Sequence, residues 1–141
     1  MDKNELIKQT HENELIRFLD VRIEIVEPER VVLTMEVTPK VHQYIGIMHG
    51  GVSLFLCETA ASIGAVCSAD LTKFTPVGIE INANHLRAVS RGRLTIEARP
   101  VYGGHLLTVW NIEITDEKGK LICTSRCSIL LKRGGARPAK S

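Results

Sequence analysis

The chain has 141 residues, 44% of them apolar and 24% charged, with a net charge of only +2 and 4% aromatics. That length supports one domain with a sizeable core, while so weak a charge and so few aromatics argue against a nucleic-acid surface. No uninterrupted apolar run approaches the roughly 20 residues of a membrane helix, and the polar start MDKNELIKQTHENEL lacks the apolar centre of a signal peptide, so neither membrane nor nucleic acid is an expected partner and cytoplasm is the expected location.

Residues 3 to 17 read as a short amphipathic helix with Leu6, Leu15 and Ile16 as its apolar contacts. Alternation follows: Val21, Ile23 and Ile25 face one way and Arg22 and Glu24 the other, as in a half-buried strand. A turn at Pro28-Glu29 leads into a return strand carrying Val31, Leu33, Met35 and Val37, which Pro39 ends because proline cannot donate to a ladder. A loop through Gly46 enters a helix expected from about Gly50 to Ser68, apolar nearly all round and therefore buried.

Past that helix the period returns to two. Val77, Ile79, Ile81 and Ala83 form one apolar row, Leu94, Ile96 and Ala98 the next, then Trp110, Ile112 and Ile114, and finally Leu121, Cys123, Cys127, Ile129 and Leu131. Ser90-Arg91-Gly92, Gly103-Gly104 and Asp116-Glu117-Lys118-Gly119 read as turns between them. The order α-β-β-α-β-β-β-β with short turns predicts an α+β domain over 1–131, one antiparallel sheet curled around a central helix. The last residues, 132–141, read as a basic flexible tail. None of the four cysteines has a Cys-x-x-Cys neighbour, so buried reduced thiols are expected and no metal site.

The chemistry concentrates in Gln43 to Ser62, QYIGIMHGGVSLFLCETAAS. Glu58 is a lone acid in an apolar helix, sharing its face with Gly51, Leu54, Phe55, Ser62 and Ala65 at about 100° per residue. An ionised carboxylate withdrawn from water is costly unless paired. Two readings stay open for it: a functional acid, or a helix edge that reaches solvent or an arginine. His49-Gly50-Gly51 opens the helix, where unpaired N–H groups favour negative charge; a structural turn would explain the same residues. Acid and helix N-terminus together suit a site where charge develops on an oxygen, as in acyl transfer.

Gln43, His49-Gly50-Gly51, Glu58 and Ser62 resemble the active-site pattern of hotdog-fold acyl-CoA thioesterases, in the hydroxybenzoyl-CoA thioesterase branch that carries glutamate on the central helix. GIEINANHLRAVSRG (78–92) and VWNIEITDEKGKLICTSR (109–126) are similar to its enterobactin-proofreading and dihydroxynaphthoyl-CoA members, and the resemblance spans residues 18 to 131. It implies the hotdog fold and hydrolysis of aromatic or medium-size acyl-CoA thioesters. In those terms Glu58 acts as nucleophile or general base, the Gly50 N–H polarises the carbonyl, Gln43 and His49 position the thioester, and Ser62 holds water. It further implies CoA contacts at Gly51, Val77, Gly78, His85 and Arg87, with Gly104 and His105 in a hairpin that departs from relatives bearing a basic residue just beyond the glycine; His105 or the tail would then grip the nucleotide. No cofactor is implied beyond the CoA of the substrate. Sites between subunits imply a homodimer, paired into a tetramer. A catalytically silent acyl-CoA-binding module is the alternative, and a hotdog hydratase or dehydratase a third reading that lacks its usual histidine pattern here.

Overall fold

The computed structural model describes residues 2 to 135. Its elements are α1 (Lys3–Glu12), α2 (Glu14–Phe18), β1 (Arg22–Glu27), β2 (Arg30–Val37), a 3-10 turn (Pro39–Val41), α3 (Gly50–Ser68), β3 (Phe74–His85), β4 (Gly92–Gly103), β5 (Leu107–Thr115) and β6 (Leu121–Arg133). All strand pairs are antiparallel, in one sheet of order β1-β2-β4-β5-β6-β3. A six-stranded antiparallel sheet curled on one long helix is the hotdog arrangement that the resemblance implies.

The core forms where the rows of alternate residues meet α3. Val31, Leu33, Leu94, Ile96, Ala98, Ile112 and Ile114 are all fully buried, against Leu56, Cys57, Ala60 and Ala61 of the helix. Gly64 is required at the tightest point, because a Cβ there would lie 2.4 Å from the Trp110 ring. By length and composition alone α3 could cross a membrane, its mean hydropathy reaching 1.5, with Glu58 its one charged residue; 44% of that window is instead buried inside the domain.

Five expectations need correction. The helix expected over 3–17 is two helices, because Asn13 turns extended and its side chain accepts from Leu15 N and Ile16 N to cap α2; Leu15 is left exposed and Ile16 is buried. In β1 an irregularity between Ile23 and Ile25 turns Val26, not Ile25, toward the core. A bulge between Gly78 and Glu80 likewise leaves Val77 and Ile79 exposed, while Ile81 and Ala83 pack on the core. Ser90-Arg91-Gly92 is no hairpin: β3 pairs with β6 at the edge, and β4 lies between β2 and β5. Finally, α3 is buried on one face only, with Leu54, Phe55, Glu58, Thr59 and Ser62 half-exposed on the other.

Of the tail expected over 132–141, Lys132 and Arg133 complete β6, and 136–141 lie outside the described residues.

Candidate active site

Helix α3 starts where His49 takes an extended conformation (φ −62°, ψ 128°) and its Nδ1 accepts the Gly51 N–H at 2.8 Å. His49 is therefore the N-cap, and a neutral ring with its proton on Nε2 is what that bond requires. The cap satisfies Gly51 and leaves the Gly50 N–H without a hydrogen bond among the described residues. His85, at the end of β3, packs onto Gly50: a Cβ on that glycine would stand 2.7 Å from His85 Nε2. Gln43 turns in from the preceding loop, its Oε1 held by Ile45 N at 2.6 Å, which leaves its amide NH2 as the free donor. Gln43, Gly50, Ser53, His85 and Arg87 line one cavity of about 280 Å³. Arg87 acts from there on Asp116, whose carboxyl is held low by the Lys120 N–H, by that of Lys118 and by the Arg87 charge, against the opposing effect of burial.

Glu58 sits elsewhere. Eight residues separate it from Gly50, a rise of about 12 Å along one helix. Its carboxylate lies over Gly78 of β3, where a Cβ would come within 2.2 Å of Oε1, and no ion pair or hydrogen bond holds it among the described residues. The β3 bulge falls at the same place, the usual position for a strand irregularity that aims a site. Glu58 and Ser62 open into a second cavity of about 580 Å³, walled by Phe55 and Val66 of α3 and by Leu6 and Ile7 of α1.

The expected residues thus fall into two half-sites. Gln43, Gly50, His85 and Arg87 gather at one end of α3; Glu58, Ser62 and Gly78 gather at its middle, with Val77 beside them on the open edge of the sheet. Gly51 is exposed and lines neither cavity. Gly104 and His105 are in the β4–β5 turn, where Leu107 faces Leu130 on β6. His85 faces Cys123 on the same strand, so that turn is about 23 Å from the His85 end. Within one protomer, then, His105 and Arg87 stand at opposite ends of β6. The sequence reading missed the α1 wall and Ser53, which carry no local signal because only the tertiary packing brings them to the cavities.

No cysteine lines either cavity, and three are buried, Cys67 being half-exposed against expectation. All four are free. Burial, with the negative charges of Glu58 and Glu80, pushes the Cys127 thiol up to about 12, and the Cys123 contact and burial push Cys57 up as well. Among the described residues no three His, Cys, Asp or Glu side chains converge as a metal cluster.

Residues 45–123 match the model of the thioesterase superfamily. A 1,4-dihydroxy-2-naphthoyl-CoA hydrolase of Listeria monocytogenes is 46% identical over 115 residues, which is 82% of this chain and 93% of that protein. Among solved structures, a mutant thioesterase from Pseudomonas aeruginosa superimposes with a TM-score of 0.85 at 31% identity, covering 94% of this chain and 95% of that one. A thioesterase from Haemophilus influenzae gives 0.84 at 36% identity, covering 92% and 90%.

Proposed function

The chain belongs to the thioesterase superfamily and is a thioester hydrolase, and from that premise we propose that it cleaves aromatic or medium-size acyl-CoA thioesters with Glu58 as the reacting acid and Gly50 as the carbonyl-polarising donor. The observation that carries this reading is the pairing of two groups unspent among the described residues: a carboxylate with no counterion there, aimed over a glycine, and a helix-terminal N–H with no acceptor there. The first can attack a carbonyl carbon or take a proton from water; the second can receive the oxyanion that results. When the tetrahedral species collapses the C–S bond breaks and the sulfur carries the electron pair away, taking a proton as CoA thiol; the water route gives the free acid directly, whereas direct attack gives a mixed anhydride with Glu58 that water then opens to the free acid and the regenerated carboxylate. A thiolate leaves readily, so one acid and one oxyanion donor suffice.

The two groups are too far apart on one helix to serve the same carbonyl, even though a helical side chain leans toward the N-terminus. A second copy resolves this. Strand β3 is an edge, with Val77 and Ile79 exposed along it and Tyr44 and Ile45 exposed in the loop before α3. Two β3 edges paired about a two-fold axis run antiparallel, so Gly78 near the start of one strand meets the His85 end of the other. Glu58 and Ser62 of one protomer then face the partner subunit's Gly50, and a CoA chain held by the Gln43, His85 and Arg87 cavity of one subunit can extend toward the other's Gly104-His105 turn. Arg87 suits a phosphate through its bidentate donors.

The position of Glu58 over Gly78 makes a separate prediction. In Gly78→Ala the new methyl displaces the end of a flexible side chain and no backbone atom, so folding is spared while the carboxylate is moved. kcat/KM should fall by about 100-fold, the usual penalty for displacing a reacting group by an ångström, with an unchanged melting temperature. Native activity in Gly78→Ala would show that the carboxylate works from another position.

The test of the function itself is release of free thiol from a panel of benzoyl-, naphthoyl-, octanoyl- and acetyl-CoA. Rapid release from the larger acyl groups is the expected result. Tight binding of every member with no release would instead assign the chain to the acyl-CoA-binding modules.

A further inference from the structure

We propose that α1 is the acyl-selecting wall of the Glu58 groove, with Leu6, Ile7 and Thr10 setting the size of the apolar acyl group accepted. The inference rests on Glu58 being the acid at the thioester, and adds to it the element that chooses the substrate.

α1 adds little to the core, Leu6 alone of its residues packing on a core cluster, the small one of Ala69, Leu71 and Leu131. It has no buried residue, and Leu6, Ile7 and Thr10 are half-exposed on the side that faces α3. The helix is held at its two ends: Lys3 Nζ donates to the Cys67 carbonyl in the last turn of α3, and at the other end Asn13 makes the break that caps α2. Between those ends it stands off α3 and leaves the cavity of about 580 Å³. Along α3 the cavity runs from Phe55 to Val66, about 16 Å, of which about 12 Å lies beyond Glu58.

The polarity of that length is ordered. The Thr10 and Thr59 hydroxyls are spent on carbonyls one turn back, Leu6 O at 2.9 Å and Phe55 O at 2.7 Å. Their methyl groups, with Leu6, Ile7, Ile63 and Val66, give the groove its apolar lining; Gln9 and Asn13 line it too, the first bonded to Glu5 and the second engaged in the α2 cap. Glu58 and Ser62 are the polar groups of α3 along the groove. A thioester carbonyl at Glu58 would thus lead an acyl chain into an apolar slot whose far side is α1. Such a slot discriminates by excluded volume and not by hydrogen bonding.

The experiment is the ratio of kcat/KM for octanoyl-CoA over acetyl-CoA in the full chain, with Glu58→Gln run in parallel. Ile7→Trp should shorten the slot and lower the ratio at least tenfold, each methylene denied burial being worth about fourfold. Leu6→Ala should widen it and move the optimum toward dodecanoyl-CoA; as a truncation on a half-exposed helix it also guards against misfolding of the larger variant. If both variants keep the native preference, the proposal is overturned. Turnover surviving in Glu58→Gln would remove the premise instead, whereas turnover lost there with unmoved ratios would remove the α1 assignment alone.

Discussion

Glu58→Gln is expected to lower kcat for acyl-CoA hydrolysis by about 1,000-fold, within the range that loss of a general base or nucleophile produces. Glutamine keeps the volume and the contact with Gly78, so the packing that positions the side chain survives. What disappears is the negative charge, which no cation among the described residues pairs with. Removing a half-buried charge without a counterion does not weaken a fold, so the melting temperature should stay the same or rise slightly. Loss of kcat with retained stability and retained affinity for CoA is the combined result that assigns the acid. A variant with native kcat would remove Glu58 from the reaction, and one that unfolds would make it a structural residue. A single turnover of the native enzyme in heavy-oxygen water bears on its chemical role: label entering Glu58 itself marks direct attack, through an anhydride opened at the glutamyl carbon.

Much of the fold could be read from the chain because burial writes itself into alternation. Leu94, Ile96 and Ala98 are buried at every second position, as are Trp110, Ile112 and Ile114, and His49-Gly50-Gly51 marks the start of α3 because capping is a local event. Pairing is not local. Ser90-Arg91-Gly92 has turn chemistry, yet β3 finds its partner in β6, about 40 to 60 residues on, with its Ile81 and Ala83 packed on the core. Bulges escape the sequence for a related reason: one inserted residue flips every side chain beyond it, which is why Ile25 and Ile79 were assigned to the wrong face. Asn13 was legible as a cap residue but lay inside a pattern long enough to be read as one helix.

The candidate residues can be named from the sequence, but their arrangement cannot. Glu58, Gly50, Gln43 and Ser62 belong to one stretch of sequence, and nearness along the chain suggests nearness in space. A helix defeats that inference, since eight residues put Glu58 and Gly50 about 12 Å apart. His49 shows the opposite difficulty. Its ring is committed to the Gly51 N–H, so the bland reading of a capping histidine accounts for its bond, and the consequence for chemistry is indirect: by taking Gly51, the cap leaves Gly50 as the donor that remains. Apart from the family resemblance, nothing in the sequence distinguishes those two glycines.

Gly50→Pro should separate that donor from everything around it. Proline is well suited to the first position of a helix, where its missing N–H has no helical acceptor to lose, and the extended conformation of His49 is the one a residue before proline prefers. The added ring presses on His85, but so does the methyl of Gly50→Ala, whose Cβ would also lie 2.7 Å from Nε2. The alanine variant is therefore the control for packing, and the difference between the two isolates one N–H. That difference should be about 100- to 1,000-fold in kcat, the value of a single oxyanion donor, with equal melting temperatures. Mixing then tests where the donor acts. Glu58→Gln and Gly50→Pro protomers, each nearly inactive alone, are unfolded together and reassembled. If each site joins Glu58 of one subunit to the partner subunit's Gly50, half of the dimers are hybrids with one intact site, and about a quarter of native activity returns. If both groups served from one chain, every site in the mixture would carry a lesion and activity would stay at the level of the separate variants. Recovery can arise only from a site shared across the two-fold axis, so its absence would return the Gly50 assignment, and the β3 dimer with it, to the single protomer that cannot bring the two groups together.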